Sequence, residues 1–430
     1  MLIPGHAPGS PLAPENIDLF DPTRFSTGSQ HPSWHTLRAG APLWRQRAGN
    51  DTEFCSVTRY EDVLAVIKNH QSFSSEYGTI LAVLGGDSAA GRTINLMDRP
   101  RHSALRGATM PQLSTGAVLR LAERTKARVR KTFEPLRDAE TVDVAELTAG
   151  LAMTVVGDII GVPEEHWRDV ASWSMTGVAP EDPVYADGTD QATLRSAHFE
   201  LFALFHDLVR ERMRRPAEDL VSTLIATTVD GVRLSLDEVI LNCYSLVMGA
   251  NTTTPHVASH MLLALAERPD QWRRLHANPA LTSRAVEEAA RWATPTNHLV
   301  RRATRTFQLS GGTVEEGELV AAWIGSANRD ESVFADPYRF DVGRRPNPHL
   351  AFGFGIHYCN GAPGARLVLR QTLEEVLDIA EGLAVAGPVT HLQSNFINGI
   401  TSLPIAVTSR SKTEAMAGRT ADHPCSGGEA

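Results

Sequence analysis

Cys359 is the residue of this sequence best suited to bind a metal, and it lies in a glycine-rich segment that reads FGFGIHYCNG from Phe352 to Gly361. A thiol binds a metal as the thiolate, and backbone N–H groups at the start of a helix stabilise that negative charge. Gly353, Gly355 and Gly361 let the chain turn and approach the sulfur or a flat cofactor closely. A lone cysteine is more often a small buried hydrophobe, but this setting favours an iron ligand.

The spacing of Phe352, Gly355, Cys359 and Gly361 resembles the haem-binding signature of the cytochrome P450 family. The resemblance implies that haem b is the cofactor and that the thiolate of Cys359 is the iron ligand. It also implies that Phe352, Gly353 and Gly361 lie beside the haem, with the phenyl ring keeping water away from the sulfur.

The resemblance covers residues 18–408 and implies a fold that is mainly α with a small β-rich portion. We expect residues 1–408 to form a single haem-thiolate monooxygenase domain and the polar residues 409–430 to form a disordered tail. The chain has 430 residues, of which 42% are hydrophobic, and this is sufficient for one large core.

Composition excludes several other classes of function. The net charge of -9, from 41 basic and 50 acidic residues, offers no basic surface for nucleic acid. The N-terminal sequence has neither the basic start of a signal peptide nor the apolar run of a membrane anchor, so a cytoplasmic protein is expected. The cysteines are far apart, which fits a reducing compartment without a disulfide framework. They are Cys55, Cys243, Cys359 and Cys425.

Two helices and a loop are expected to hold the cysteine in place. Apolar residues recur with helical spacing from Ala362 to Leu383, so Cys359 should directly precede a helix. Further upstream, Glu288 and Arg291 lie three residues apart and therefore on one helix face. In the resemblance they match the family's Glu-x-x-Arg pair, and Arg339 matches the third member of the same buried structural network.

A haem carries two propionates, which need cationic or hydrogen-bonding partners inside a protein. Three separate segments offer such side chains at positions that match the family. They are His102, Arg106, Arg301 and His357. Each alone is more often a solvated surface residue, and only their joint agreement with the family pattern favours a propionate site.

The sequence LNCYSLVMGANTTTPH is an apolar helix interrupted by small residues and threonines. In the resemblance it crosses the distal face of the haem, where Ala250 leaves room for ligands and Thr253 matches the alcohol that hydrogen-bonds the oxygen to be activated. Most relatives carry an acid where this chain has Thr252. Because Pro255 lacks an N–H, the Asn251 carbonyl is free to hold water. We expect protons to pass through Thr253, Thr252 and this water, with a simply bent helix as the alternative.

Three further segments resemble the family's substrate-contacting loops and are rich in apolar side chains. They are residues 73–94, 296–300 and 396–403, the last a predicted hairpin that turns at Asn398-Gly399. The candidate substrate contacts are Ile80, Leu81, Asn297, His298, Leu299, Ile397 and Ile400. Asn297 and His298 could orient a polar group, and core packing is the alternative for the apolar residues.

The resemblance implies a monooxygenase, because a thiolate ligand favours O–O cleavage and the cofactor carries the difficult chemistry. The chain has no nicotinamide or flavin fingerprint, so electrons should come from a ferredoxin and its reductase. Candidates for a cationic docking face are Arg101, Arg344, Arg366 and Arg370. The expected substrate is a small apolar molecule of secondary metabolism, either free or tethered to a carrier protein.

Two alternatives stay open at this point. The missing acid is compatible with an atypical haem-thiolate enzyme that performs epoxidation, coupling or peroxide-driven oxidation. A non-catalytic haem-binding module that recruits or senses is the other alternative.

Overall fold

The computed structural model of the chain describes residues 12–48, 52–84 and 86–409. Helices dominate the described structure, as the sequence predicts. The α-helices are α1 (Thr23–Ser26), α2 (Gln30–Gly40), α3 (Tyr60–Lys68), α4 (Arg101–Leu113), α5 (Thr115–Arg120), α6 (Ala122–Phe133), α7 (Val144–Thr148), α8 (Met153–Ile160), α9 (Trp167–Thr176), α10 (Asp190–Arg214), α11 (Leu220–Ala226), α12 (Leu236–Asn251), α13 (Thr254–Ala266), α14 (Pro269–Ala277), α15 (Thr282–Ala293), α16 (Ile324–Ala327) and α17 (Ala362–Ile379).

The strands are short and form a smaller β portion. They are β1 (Leu43–Arg47), β2 (Glu53–Val57), β3 (Phe73–Ser74), β4 (Thr141–Asp143), β5 (Thr228–Val229), β6 (Val232–Arg233), β7 (His298–Ala303), β8 (Phe307–Leu309), β9 (Gly312–Val314), β10 (Leu319–Trp323), β11 (Ala380–Val385), β12 (Thr390–His391), β13 (Ile400–Ser402) and β14 (Pro404–Ser409). One sheet has the order β1-β2-β10-β7-β3 and another β11-β14-β4, while β12-β13, β5-β6 and β8-β9 are two-stranded.

The five-stranded sheet is buried on both faces, because successive side chains of a strand point to opposite sides. In β10, Val320 and Ala322 join one hydrophobic cluster, which includes residues of α3. Ala321 and Trp323 join the cluster on the other face, around Trp34 of α2. The sheet therefore holds β7, which carries several candidate site residues, between two packed layers.

The largest hydrophobic cluster lies among the helices, and α13 is its most buried element. Preceding it, α12 starts at a reciprocal cap in which the Glu238 N–H donates to Ser235 Oγ at 3.2 Å and the Ser235 N–H donates to Glu238 Oε2 at 2.9 Å. Between the two helices the chain leaves regular helix at Thr252 and Thr253. The second of them, α13, contacts α15 and α17, and α17 directly follows the cysteine loop in sequence.

Three expectations about boundaries need correction. The helix after the cysteine ends at Ile379 rather than near Leu383, because the next residues form β11 and pair with β14. Ser409, expected to be the first residue of the tail, is the last residue of β14. The rest of the expected tail, residues 410–430, lies outside the described residues. The tight hairpin predicted to turn at Asn398-Gly399 does not form, and β12 and β13 pair across a longer loop. Asn398 is bound elsewhere, because its backbone N–H donates to the Pro295 carbonyl and its side chain donates to the Ala293 carbonyl.

Candidate functional site

The loop that carries Cys359 closes on itself before α17 begins. The Cys359 N–H donates to the Phe352 carbonyl at 2.8 Å, which joins the two ends of the loop. Gly353 and Gly355 have φ of 69° and 71°, so the turn uses the left-handed conformation that glycine favours. Gly361 does not, since its φ is -82°. A left-handed turn at Gly361 was therefore wrongly predicted, and a Cβ there would make only an ordinary contact, 3.8 Å from the Cys359 sulfur, while its place beside the haem stays a prediction.

The sulfur of Cys359 receives backbone N–H groups at the start of α17, as the sequence predicts. Burial by the surrounding protein raises the pKa of this thiol, and hydrogen bonds from the Gly361 and Ala362 N–H groups oppose that effect. The charges of Arg106 and Arg366 act in the same direction as these N–H groups. The side chain nevertheless keeps accessible surface. The pKa therefore stays raised on balance, and the N–H groups and guanidinium charges lessen, without removing, the cost of forming a thiolate at this reachable position.

The four candidate propionate partners converge beside this loop. The rings of His102 and His357 lie 4.4 Å apart between centroids. Arg106 donates to the Ile356 carbonyl at 3.0 Å, and Arg301 donates to the Val300 carbonyl at 2.7 Å, so both guanidiniums contact backbone rather than a carboxylate. Burial, followed by the charges of Arg301, His102 and Arg106, lowers the pKa of His357 to about 2. Several basic groups thus share one buried region.

This donor set fits an anionic group such as the two propionates of a haem. His102 is buried, and its Nδ1 has no hydrogen-bond partner in the described part of the chain. An anion would relieve both that unsatisfied ring nitrogen and the repulsion between the guanidiniums of Arg106 and Arg301. His102 and Arg106 also line an open surface groove together with Phe354, Gly355 and Ile356 of the cysteine loop.

An ion network around the fully buried Glu288 and Arg291 supports the loop, and its third member is not the predicted one. Arg291 binds Glu288 through two contacts of 2.8 Å, and the Nε of Arg344 lies 3.0 Å from each Glu288 oxygen. Arg339 is exposed and contributes only its carbonyl, which accepts from Arg344 at 2.7 Å. The prediction of Arg339 was wrong because Arg339 turns its carbonyl, and not its side chain, towards the network.

From this network, hydrogen bonds lead to the cysteine loop. Arg291 donates to the Asn328 carbonyl at 2.9 Å, and the Asn328 side chain accepts from the Leu350 N–H at 2.8 Å. The Leu350 carbonyl in turn accepts from the Gly353 N–H at 2.8 Å. The backbone that precedes Cys359 is therefore fixed by a chain of contacts that begins at buried charges.

A second support was missed by sequence reasoning. Glu287 holds Arg366 at 2.6 and 2.9 Å, and the guanidinium carbon of Arg366 lies 4.4 Å from the Phe352 ring centroid. Glu287 directly precedes Glu288 in the sequence, and this adjacency was the signal that could have identified Glu287 as a second supporting acid. Arg366 was instead assigned to a docking face, and the structure pairs all four proposed docking arginines with carboxylates. The pairs are Arg101–Glu238, Arg344–Glu288, Arg366–Glu287 and Arg370–Glu374.

The break between α12 and α13 brings the candidate oxygen-handling residues together. Thr253 is the one residue between the helices with clearly non-helical dihedral angles, φ -126° and ψ -57°. Its hydroxyl donates to the Gly249 carbonyl at 2.6 Å and is partly accessible. The Thr252 hydroxyl is buried and donates to the Met248 carbonyl at 2.8 Å. The two hydroxyls thus bind different carbonyls, and Thr253 is the accessible one.

The residues that precede these threonines differ in solvent exposure. Asn251 is fully buried, with its Nδ2 3.3 Å from the sulfur of Met153. Ala250 is half-buried and packs against the helical core, and Gly249 beside it is exposed. Small residues therefore open this face of α12, as the sequence predicts.

Several predicted substrate contacts are core residues. Leu81 is packed with Trp34 and Trp323 beside the sheet, Ile397 with Met175 and Leu392, and Ile400 within the helical core. Each presents almost no surface because neighbouring apolar side chains cover it, which favours the core-packing alternative, and their contact with a substrate stays a prediction. Ile80 and Leu299 keep accessible surface. Asn297 is buried, and its Nδ2 has no partner in the described ranges.

His298 was expected to orient a polar group of a substrate, and its contacts contradict this. Its Nδ1 lies 3.1 Å from the Asn395 carbonyl, and its Nε2 accepts from the Leu81 N–H at 3.1 Å. Both ring nitrogens are therefore used to join β7 to two other segments. Burial lowers the pKa of His298 to about 3, so the ring is neutral.

We expect acid to destabilise this protein, because several buried histidines are neutral in the folded state. Burial lowers the pKa of each from the usual 6.5, to about 4 for His256 and about 3 for His298, and well below 6.5 for His31 and His260. Since the unfolded chain binds more protons below pH 6.5, stability is complete above that pH and falls by up to about 1.4 kcal/mol per pH unit for each group. Denaturant unfolding from pH 7.5 downward measures the slope.

His256→Asn tests this expectation, because the amide oxygen can still accept the hydrogen bond that the Ile400 N–H gives to His256 Nδ1 at 3.3 Å. The slope of unfolding free energy against pH should drop by about one proton, or about 1.4 kcal/mol per pH unit. His206→Asn on α10, where the ring is partly exposed, is the matched control. Equal slopes for both variants and the unmodified protein would contradict the expectation.

Comparison with known proteins agrees with the geometry. The family model described as Cytochrome P450 matches residues 191–378. Cytochrome P450 NovI of Streptomyces niveus is 31% identical over 407 residues, covering 93% of this chain and 98% of the relative. The Steroid C26-monooxygenase of Mycobacterium bovis is 32% identical over 416 residues, covering 93% and 95%. The crystal structure of P450 OxyD, involved in the biosynthesis of vancomycin-type antibiotics, has 30% identity and a TM-score of 0.83, covering 92% of this chain and all of OxyD.

Proposed function

The chain belongs to the cytochrome P450 family of monooxygenases, and on this premise we propose that Cys359 holds haem b and that the enzyme oxidises a small apolar molecule with electrons from a ferredoxin and its reductase. The observation that carries the proposal is a thiol at the start of α17 beside four converging basic side chains that bind no carboxylate. A sulfur ligand and a site for two carboxylates are what a thiolate-ligated haem requires.

The residues of the chain have distinct tasks in this proposal. His102, Arg106, Arg301 and His357 hold the propionates, and Cys359 holds the iron. When bound, such a haem supplies oxygen activation, because the thiolate pushes electron density that favours O–O cleavage. Phe352 accepts the Cys359 N–H at 2.8 Å, and its task in this proposal is to keep water from the sulfur once the haem is bound.

Thr253 handles the proton in this proposal. Its Oγ donates to the Gly249 carbonyl at 2.6 Å, which fixes the hydroxyl at the break between α12 and α13 and leaves its lone pairs available. The route through Thr252 is weaker, because that hydroxyl is buried and bound to Met248. A hydroxyl held in this way can pass a proton from water to a reacting oxygen.

The partner and substrate are proposed from chemistry near the site. Phe354 of the cysteine loop is 43% exposed, and the Lys68 ammonium lies 5.8 Å from its ring centroid. This apolar and basic face, close to Cys359, suits a small acidic electron carrier. Among the described residues no helix combines the length and apolar character needed to cross a membrane. A role in secondary metabolism is supported by the likeness to OxyD, and an apolar substrate by the likeness to a steroid monooxygenase.

The proposal predicts that Thr253→Ala uncouples the enzyme. Product formed per reduced nicotinamide consumed should fall at least about tenfold, since a positioned proton donor contributes roughly 100-fold or more and water replaces it only in part. Thr252→Ala is the matched control and should change this ratio less than about twofold. Coupling is measured with ferredoxin, its reductase and oxygen. Unchanged coupling in Thr253→Ala would contradict the role of Thr253, and turnover by peroxide alone at the full rate would favour the peroxide-driven alternative.

A further inference from the structure

Arg366 of α17 contacts the cysteine loop at two points. Its guanidinium carbon lies 4.4 Å from the centroid of the Phe352 ring, and its Nη1 donates to the Tyr358 hydroxyl at 3.0 Å. The Phe352 carbonyl accepts the Cys359 N–H, and Tyr358 directly precedes the cysteine in sequence. One cation therefore lies against two residues that are joined directly to Cys359.

A carboxylate of a different helix anchors this guanidinium. The Nε of Arg366 donates to Glu287 Oε1 at 2.6 Å, and its Nη2 donates to Glu287 Oε2 at 2.9 Å. Glu287 lies in α15, and its Oε2 is also 3.1 Å from the Nε2 of His349. Because a pair with two parallel contacts fixes the direction as well as the position of a guanidinium, the charge of Arg366 is held at a defined place beside the loop.

The charge of Arg366 acts on the sulfur of Cys359. Together with the charge of Arg106, it opposes the rise that burial causes in the pKa of the Cys359 thiol. Arg106 already has a task in the proposed function, at the propionates, whereas Arg366 has none. Groups outside the ligand set of a metal, and the charges among them, tune the electron density of its ligands. Arg366 is placed to do this for the thiolate.

We propose that Arg366, anchored by Glu287, is a positioning residue that sets how easily the thiolate-bound iron is reduced. This inference rests on the proposed function, since it takes Cys359 as the iron ligand. Reduction moves one electron from the ferredoxin to the ferric iron and adds one negative charge there. A guanidinium nearby favours this added charge, and a carboxylate opposes it. Arg366 therefore makes reduction easier, and Glu287 limits the effect.

A purely structural role of the pair is the competing explanation, and it predicts different signs. If the pair only supports the loop, loss of either partner loosens the same contacts and moves the reduction potential in the same direction. If charge decides, loss of Arg366 and loss of Glu287 move the potential in opposite directions. The two side chains are 37% and 32% exposed, so salt screens the electrostatic effect, and a measurement at low ionic strength shows it best.

The midpoint potential of the holoenzyme, measured by spectroelectrochemical titration, tests the proposal. Arg366→Gln should lower the ratio of ferrous to ferric enzyme at a fixed potential by about tenfold, which corresponds to about 59 mV. Glu287→Gln should raise this ratio by up to about tenfold, because glutamine keeps an acceptor for the guanidinium but removes the negative charge. The double variant should return to within about threefold of the unmodified enzyme, and so should Arg366→Lys, which keeps the charge.

Arg370→Gln is the matched control on the same helix. Arg370 lies one turn further along α17 and pairs with Glu374 at 3.7 Å, a residue of its own helix. This variant should keep the ratio within about twofold, since its charge is partly exposed and screened. Shifts of Arg366→Gln and Glu287→Gln in the same direction would overturn the inference by showing a structural role. An equally large shift in Arg370→Gln would overturn it too, by showing an effect of net charge. If Arg366→Gln fails to bind haem, the sign for Glu287→Gln decides alone, and anything but a rise refutes the proposal.

Failure of the underlying function would look different. A ferrous–CO complex that lacks the red-shifted Soret band in the unmodified enzyme would disprove thiolate ligation, and this inference with it. The red-shifted band combined with an unmoved potential in Arg366→Gln and Glu287→Gln would disprove only the role of Arg366.

Discussion

Replacing Cys359 by serine is expected to abolish turnover and to remove the red-shifted Soret band of the ferrous–CO complex. Serine keeps the size of the side chain but is not a thiolate, so the electron donation that supports O–O cleavage is lost. We expect the rate to fall at least about 1000-fold, which corresponds to about 4 kcal/mol of barrier. The CO difference spectrum and product formation with ferredoxin and reductase measure the two effects.

Cys55→Ala provides the matched control for a thiol elsewhere. Cys55 lies in β2, buried in a hydrophobic cluster of the sheet, and burial raises the pKa of its thiol to about 12. This variant should keep the red-shifted band and its turnover. An intact band in Cys359→Ser, or its loss in Cys55→Ala, would refute the assignment of the iron ligand.

The second large effect is expected for Arg344→Ala, which should lower the free energy of unfolding by about 3–5 kcal/mol. Glu288 is fully buried between Arg291 and Arg344, so removal of one guanidinium leaves a buried carboxylate with one of its two cationic partners. Arg344 also donates to the carbonyls of Ala335 and Arg339, which would lose their bonds. Haem content should fall as well, because the same network supports the cysteine loop.

Arg339→Ala tests whether Arg344, as observed, or Arg339, as predicted, is the third member of the ion network. The Arg339 side chain is exposed and only its carbonyl is used, so this variant should stay within about 0.5 kcal/mol of the unmodified protein. Denaturant unfolding and haem content per protein measure both variants. A large cost for Arg339→Ala together with a small one for Arg344→Ala would restore the original assignment.

The sequence predicted the fold class and the centre of the site well, for physical reasons. The cysteine segment adopts left-handed backbone conformations at positions 353 and 355, which favour glycine, so the residue types there predict the turn. Helical spacing likewise predicted that Cys359 precedes a helix and that Glu288 and Arg291 share a face. Such features depend on residues that are close together in the chain, so they can be predicted from a local sequence pattern and from its resemblance to a family.

What was missed depends on contacts between distant segments. Whether Arg339 or Arg344 reaches Glu288 is decided by the direction of a turn, which residue type does not specify. Burial of Leu81, Ile397 and Ile400 follows from packing partners far away in sequence. His298 could be assigned to a substrate only while its partners, the Asn395 carbonyl and the Leu81 N–H, were unknown.

The gathering of His102, Arg106, Arg301 and His357 has a consequence for how the protein is produced. The guanidiniums of Arg106 and Arg301 repel each other in a low-dielectric interior, so without a counter-anion these two charges weaken the folded state. A cofactor that neutralises them therefore adds its binding free energy to folding. Host cells with a limited supply of porphyrin should accordingly yield fragile, protease-sensitive chains, and feeding a haem precursor during expression should raise the recovered amount as well as the colour.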